Sequence, residues 1–410
     1  MNFCLAELTI ALSHALDFME IDFLGGVTYH SRRVAYIALR LGEARGLSAE
    51  ELSDLVSLAI LHDNGIGVAF QSKSAAASAP ADRLGAMESA ALHCSAGEEN
   101  LSGYPFLSRP SGVILNHHEN WDGSGFFHAE GKGIPFMARL IRLADLVDQR
   151  CRLDGIDYAG KLELLSWLEK QKGFTLDPEL VDSFTAVSDS PSFWLDLKNE
   201  FIAVALRQRI PRIAREMDFS SLRETTSVFS RIIDSKSRFT RVHSQDLSEK
   251  ALVMASRYGY GPEAVAKLRI AADLHDVGKL AVSNAILDKP GKLEALEVDV
   301  IQRHTYYTRV SLQEIHGFEE ITEWAANHHE KLDGSGYPFR LPRERLDFNS
   351  RLLCCLDIYQ ALTELRPYRE ALSHGKTLGI MREMVGAGKL DSAIVEDIGE
   401  VFDPKSTTPQ

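Results

Sequence analysis

The sequence predicts an all-α protein made of two tandem helical bundles, and three observations carry that expectation. Apolar residues recur at spacings of three and four through Leu52–Leu61, Val265–Leu274 and Leu352–Leu362, the period of a helix with one buried face. Few stretches alternate with the period of two that a half-buried strand needs. The third observation is a repeat. The chain has 410 residues, longer than the roughly 250–300 at which a single hydrophobic core stops growing, and it says nearly the same thing twice.

The repeat is read most easily at its densest motif. Asn116-His117-His118-Glu119-Asn120-Trp121-Asp122-Gly123-Ser124-Gly125-Phe126 returns as Asn327-His328-His329-Glu330-Lys331-Leu332-Asp333-Gly334-Ser335-Gly336-Tyr337, with eight of eleven positions identical. Upstream, Leu61-His62-Asp63-Asn64-Gly65 answers to Leu274-His275-Asp276-Val277-Gly278, and His30-Ser31 to His243-Ser244. The intervals agree as well. His30 to His62 and His243 to His275 both span 32 residues, while His93 to His117 and His304 to His328 both span 24. Asp145 and Asp357 follow the double histidines by 27 and 28 residues. Ten of the 14 histidines thus fall into five matched pairs; His14, His128, His316 and His374 do not. Such self-similarity identifies a tandem duplication. Its junction is expected between about 150 and 225, and the domains are drawn as 1–195 and 196–410.

Punctuation fits helices joined by loops. Breakers fall at Asp122-Gly123-Ser124-Gly125, Lys289-Pro290-Gly291, Asp333-Gly334-Ser335-Gly336 and Arg366-Pro367. Tyr158–Lys170 and Val204–Met217 read as helices bridging the repeats. The Ala- and Ser-rich Gln71–Pro80 reads as a loop, and the tail after Asp403 as disordered.

A net charge of −13 argues against a partner such as a DNA or RNA duplex, which needs a basic face. It leaves room for a small phosphate substrate, because bound divalent cations reverse the local field. With neither a signal peptide nor a membrane-spanning apolar run, the expected place is the cytoplasm and no membrane partner is expected. The five cysteines, Cys4, Cys94, Cys151, Cys354 and Cys355, are odd in number and form no CxxC pair, which speaks against a disulfide scaffold or a thiolate zinc site.

What remains is a set of imidazoles and carboxylates in motifs one helix length apart: His243, His275, Asp276, His304, His328, His329 and Asp357. A helical bundle can gather such groups from different helices onto a shared centre. The donor set suits iron, manganese, zinc or nickel rather than a soft ion. The adjacent His275-Asp276 offers one terminal nitrogen and one carboxylate able to bridge two ions, which together can activate a shared water against a phosphoryl group. The first repeat keeps the same set as His30, His62, Asp63, His93, His117, His118 and Asp145.

With these residues in view, the chain resembles the HD-GYP family, a branch of the HD phosphohydrolases. The likeness rests on His275-Asp276-Val277-Gly278-Lys279, on His328-His329-Glu330-Lys331-Leu332-Asp333-Gly334-Ser335-Gly336-Tyr337-Pro338 and on Asp357-Ile358-Tyr359-Gln360-Ala361-Leu362, and covers roughly Ser220–Asp403. Members are bacterial enzymes that linearise cyclic di-GMP and, in some cases, cyclic GMP-AMP, for second-messenger signalling. The resemblance implies an all-helical bundle with a non-haem iron or manganese centre of two divalent ions. His243, His275, Asp276 and Asp357 would hold one ion, and Asp276 would bridge to a second held by His304, His328 and His329. Besides Asp276, the catalytic residue implied is Lys279, whose ammonium would meet the scissile phosphate. Gly336, Tyr337 and Pro338 would shape the nucleotide pocket, and Arg366 would grip phosphate with its planar fork. A homodimer or a signalling-protein partner stays open.

The departures from the family pattern are informative. HPxxG is His304-Thr305-Tyr306-Tyr307-Thr308 here, and the glutamate of three-metal members is Phe239, which points to two metals. The first repeat has Ile66 in place of the lysine, Gly125-Phe126-Phe127 in place of Gly-Tyr-Pro, and Asp154 in place of Arg366. The leading expectation is therefore a cyclic-dinucleotide phosphodiesterase with its chemistry in the second repeat. Two other readings are a phosphomonoesterase or 5′-nucleotidase, in addition or instead, and a non-catalytic nucleotide sensor.

Overall fold

The computed structural model describes residues 2–19, 29–68, 83–151, 153–213, 215–236, 243–289, 291–365 and 370–404. Gln71–Pro80, Phe239, Pro290, Arg366 and most of the tail after Asp403 lie outside the described residues. The chain divides into two compact units that meet between Glu216 and Met217. That is later than the 195/196 boundary drawn from the sequence, because Ile202, Leu206 and Ile210 are buried in the first unit.

The first unit holds α1 (Leu5–Met19), α2 (His30–Ala44), α3 (Ala49–Ile60), α4 (Arg83–Asn100), α5 (Phe136–Arg150), α6 (Tyr158–Gln171), α7 (Pro178–Ser188), α8 (Pro191–Asp196) and α9 (Ile202–Arg209). Val34, Ala35, Tyr36, Ile37, Ala38, Leu39 and Leu41 are all fully buried, so α2 is covered all round, by α3, α5, α7 and α9 among others. A capping box, Ser48 with Glu51, starts α3. The helix expected over Val204–Met217 stops at Arg209. Pro211 has no N–H to continue it and holds Ile210 extended, at φ −59° and ψ 132°. Beyond it, β2 (Arg215–Glu216) pairs antiparallel with β1 (Asn2–Phe3). That two-residue ladder is the only sheet among the described residues.

The second unit holds α10 (Phe219–Ser235), α11 (His243–Arg257), α12 (Pro262–Leu274), α13 (Asn284–Leu287), α14 (Ala295–Gln302), α15 (His304–Leu312), α16 (Glu319–Ala326), α17 (Phe348–Thr363), α18 (His374–Gly386) and α19 (Ser392–Val401). Pro262 opens α12 at a position where its missing N–H costs nothing. Asp218 and Asp347 cap α10 and α17 by accepting from the N–H groups of Ser221 and Ser350. Leu268, Ile270, Ala271, Ala272 and Leu274 bury α12 against α10, α11 and α16. The end of that central helix is where the motif residues converge. No described helix is long and apolar enough to cross a membrane.

Candidate metal centre

In the second unit, His275 caps the C-terminus of α12 and Asp276 follows it into a 3₁₀ turn over Val277–Ala281. His304 opens α15, His328 and His329 lie just past α16, and Asp357 faces inward from α17. The last carbonyls of a helix lack intrahelical partners, and three of these histidines supply one. His275 Nδ1 donates to the Ala272 carbonyl (2.7 Å), His304 Nδ1 to that of Ile301 (2.6 Å) and His328 Nδ1 to that of Ala325 (2.6 Å). The proton is thereby fixed on Nδ1, and each Nε2 turns a lone pair inward.

Gly278 lets the HD segment meet α15. A Cβ there would lie 1.9 Å from the His304 carbonyl oxygen. The glycine N–H instead donates to Thr308 Oγ1 (3.1 Å), which donates in turn to the His275 carbonyl (2.9 Å).

The inward atoms form two groups around one carboxylate. Asp276 Oδ2 lies 3.1 Å from His275 Nε2 and 3.8 Å from His243 Nε2, and Oδ1 lies 3.3 Å from His304 Nε2 and 3.8 Å from His328 Nε2. Asp357 Oδ1 is 3.3 Å from His243 Nε2 and its Oδ2 is 3.8 Å from His329 Nδ1. All seven sequence-predicted side chains are brought together.

Two features test whether metal fits. His275 Nε2, His243 Nε2 and Asp276 Oδ1 are buried without a hydrogen-bond partner, a costly state for polar atoms. His304 and His328 point their Nε2 lone pairs at each other across 3.3 Å, an arrangement that repels unless a cation lies between. Burial, and then neighbouring imidazoles, hold His328 and His329 well below the usual imidazole range, in the neutral form that ligates metal. Against the opposing effect of burial, His275 and Lys279 hold Asp276 well below the usual carboxylate range. An imidazole and carboxylate set of this kind fits divalent ions.

The substrate-side residues surround this cluster. Lys279 Nζ lies 2.5 Å from Asp276 Oδ2. The Tyr337 ring stands 4.8 Å from that of His329, and the Tyr337–Pro338 peptide is cis. Glu330, which sequence reasoning left without a role, holds the loop. Its Oε1 accepts from the Phe339 N–H (2.7 Å) and its Oε2 from that of Leu341 (3.0 Å). Gly336 passes so close that a Cβ would lie 2.4 Å from Glu330 Cα. Arg366 lies outside the described residues.

The first unit repeats the arrangement. His93 Nε2 is 3.2 Å and His117 Nε2 3.9 Å from Asp63 Oδ1, while His62 Nε2 is 3.5 Å from Asp63 Oδ2. Asp145 Oδ1 is 3.3 Å from His30 Nε2 and its Oδ2 4.0 Å from His118 Nδ1. Again His62 Nε2 and Asp145 Oδ2 are buried without a hydrogen-bond partner, and Glu119 accepts from the N–H groups of Phe127 and Ala129. Cys94 joins this cluster spatially. Its Sγ lies 3.8 Å from the outward nitrogen of His117, and burial pushes the thiol up to about 12.

The units differ around the ligands. Arg142 donates to Asn120 Oδ1 (2.9 Å) in the first, where the second pairs Lys331 with Cys354 Sγ (3.1 Å). Asp148 and Glu364, each beside a histidine Nδ1, were not singled out from the sequence. The only signal available for them was a carboxylate one or two turns beyond Asp145 or Asp357.

The chain matches the HD-domain family twice, over residues 22–180 and 227–394. It is 30% identical over 406 residues to a 3′3′-cGAMP-specific phosphodiesterase 1 of Vibrio cholerae, covering 97% of this chain and 91% of that protein. It is 29% identical over 428 residues to 3′3′-cGAMP-specific phosphodiesterase 3 of the same organism, covering 93% and 91%. The crystal structure of a cyclic GMP-AMP specific phosphodiesterase of V. cholerae, V-cGAP3, superposes with a TM-score of 0.69 at 26% identity, over the whole of both chains.

Proposed function

This chain belongs to the HD-domain family, of the HD-GYP type, and from that membership and the geometry above we propose that its second unit is a metal-dependent phosphodiesterase that opens a cyclic dinucleotide to the linear form. The preferred substrate in this proposal is 3′3′-cyclic GMP-AMP, since the relatives matching along nearly the whole chain are named for it; cyclic di-GMP is the competitor to test against it. The enzyme would work in the cytoplasm.

The observation that carries the reading is the division of Asp276, one oxygen toward His275 and His243 and the other toward His304 and His328. That division supports two ions, iron or manganese, one held by His243, His275, Asp276 and Asp357 and the other by Asp276, His304, His328 and His329. Bound ions supply Lewis acidity, activating water at neutral pH and neutralising phosphoryl oxygens. The chain's own groups do the rest. Lys279 holds an ammonium beside Asp276, ready to turn to a phosphoryl oxygen as its charge grows. Tyr337 walls the site at His329, and Glu330 fixes the loop that carries it, so the dinucleotide meets a preorganised surface.

For the first unit we propose a metal-holding domain that does not open the ring. Its ligand geometry supports the first half of that statement, and Ile66 in place of the lysine supports the second.

The test is anaerobic purification with metal analysis, then assay against 3′3′-cyclic GMP-AMP, cyclic di-GMP and cyclic di-AMP with chromatographic identification of products. The expected result is iron- or manganese-loaded protein that linearises cyclic GMP-AMP fastest. Equal hydrolysis by metal-stripped protein would sink the mechanism, and a clear preference for cyclic di-GMP would sink the substrate assignment.

A further inference from the structure

His243 is unlike three of the other histidines of its centre. His275, His304 and His328 each hand their Nδ1 proton to a carbonyl three residues earlier. His243, the first described residue of α11, instead has a carboxylate at its Nδ1. His30, the first residue of α2, stands in the same position in the first unit. Both have an Nδ1 partner on another element, and the two units find it differently.

In the first unit the partner is Asp148, one turn beyond Asp145 on α5. Its Oδ2 lies 2.7 Å from His30 Nδ1, and Arg33 clamps the same carboxylate through Nε (2.5 Å) and Nη2 (3.1 Å). In the second unit the residue one turn beyond Asp357 is Gln360, an amide, and the residue matching Arg33 is the exposed Asp246. Neither the carboxylate nor its clamp is there. A carboxylate appears instead one turn further along. Glu364, at the end of α17, brings Oε2 to 3.0 Å from His243 Nδ1. Gln360 is fully buried between them. Its Nε2 donates to Glu364 Oε1 (2.6 Å) and to the His243 carbonyl (2.6 Å), and lies 3.3 Å from His243 Nδ1, farther than Glu364 Oε2.

We propose that Glu364 is the positioning residue for the second unit's metal centre, holding His243 in the ligating tautomer, with Gln360 as the clamp that aims it. Three differences between the units follow from that single rearrangement. An aspartate at 360 would reach His243 as Asp148 reaches His30, but it would face Glu364 as a like charge with no arginine at 246 to clamp it. An amide at 360 removes that repulsion and supplies two N–H donors for the two oxygens it touches. A carboxylate on the far nitrogen of a ligating imidazole orients the ring and raises its basicity. Glu364 acts through His243 and touches no reacting atom.

The inference rests on the metal-dependent reading of the second unit, and its test separates the two. The full chain carrying His62→Ala and Asp63→Ala serves as parent, so that bound Mn²⁺ reports the second unit. Mn²⁺ affinity is measured by chelator competition, and the melting temperature of the metal-stripped protein is recorded alongside. Glu364→Gln should weaken Mn²⁺ binding about 10–100-fold, as loss of such partners does at other metal sites. The exchanged pair Gln360→Asp/Glu364→Gln should recover most of it, because it restores a carboxylate to the place where the first unit has Asp148. Should the parent not fold, the Mn²⁺ concentration for half-maximal hydrolysis in the otherwise unaltered chain reports the same affinity. A parent that binds no Mn²⁺ defeats the metal reading itself. Undiminished affinity in Glu364→Gln overturns this proposal alone. So does a weakened Glu364→Gln that the exchange fails to restore while the metal-free melting temperatures agree, since the carboxylate at His243 would then not be the cause.

Discussion

Replacing Gly278 with alanine adds one methyl group and should pull the second unit's centre apart. The new Cβ would lie 1.9 Å from the His304 carbonyl oxygen and 2.8 Å from both the His304 carbonyl carbon and the Thr308 nitrogen. Contacts under 3.0 Å are essentially never made by a real Cβ, and all three neighbours are backbone, so no rotamer change relieves them. The HD segment and the first turn of α15 must therefore separate by about 1.1 Å, the shortfall at the closest contact. That separation acts almost directly on the ligands. Asp276 sits two residues before the glycine, and His304, whose Nε2 is 3.3 Å from Asp276 Oδ1, opens the helix being displaced. A misplacement of about 1 Å near a reacting centre costs on the order of 10²-fold in rate, so kcat should fall by about that factor. The accompanying overpacking should cost only about 1–3 kcal/mol of stability, leaving the protein folded. The assay is kcat on cyclic GMP-AMP at saturating metal, with metal content and circular dichroism in parallel. A Gly278→Ala protein that folds, loads metal fully and turns over like the wild type would refute the claim that this backbone contact sets the Asp276–His304 distance.

Other perturbations address the remaining parts. Chelation should abolish hydrolysis and manganese or iron restore it, whereas Asp276→Ala should be inactive at every metal concentration with its helical circular dichroism intact; residual metal-dependent turnover would show that the carboxylate does not bridge. Lys279→Ala should lower kcat by about 10²–10³-fold at fixed metal occupancy, as loss of a preorganised donor to developing charge does, and an unchanged kcat would leave the lysine as a solvated charge. His275→Ala/Asp276→Ala should eliminate ring opening, while His62→Ala/Asp63→Ala should only reduce it or affect a later step. The opposite pattern would mean that the two units have been assigned backwards.

The clustering of these histidines and aspartates was legible because their motifs recur in both halves at equal intervals. Helix content was legible from the apolar period, as Phe348–Thr363 and Pro262–Leu274 bear out around the stretches read from the sequence. The junction was legible only as a range, about 150–225, which holds the Glu216/Met217 boundary; the 195/196 cut fell short of it. The matched motifs stop well before residues 197–216, so the repeat could not say that Ile202, Leu206 and Ile210 belong to the first unit's core. Pro211 is the local signal against a helix through Met217, and it outweighs the apolar spacing around it. The histidine partners were hidden for another reason. An Nδ1 bonded to a backbone carbonyl leaves no trace in residue identity, and Glu364 does in the second unit what Asp148 does in the first from a different helical turn.

Under the proposed division of labour, that contrast lets the two units keep similar clusters without sharing a reaction. Five of the clustered histidines are aimed by the backbone: His62, His117, His275, His304 and His328 all bond a carbonyl three residues back, while Gly65 admits the middle of α4 and Gly278 the start of α15. Changes in surrounding side chains leave such an arrangement standing. The groups proposed to meet substrate do not aim these histidines. Lys279 becomes Ile66 without disturbing the Asp63–His93 distance, which at 3.2 Å is close to the 3.3 Å of Asp276–His304. The aromatic ring that stands 4.8 Å from His329 as Tyr337 is 6.3 Å from His118 as Phe126, with no hydroxyl. Metal geometry alone therefore cannot decide which unit opens the ring. The decision rests on side chains that the fold does not need, so activity should follow Lys279 and the Tyr337 loop rather than the ligand set.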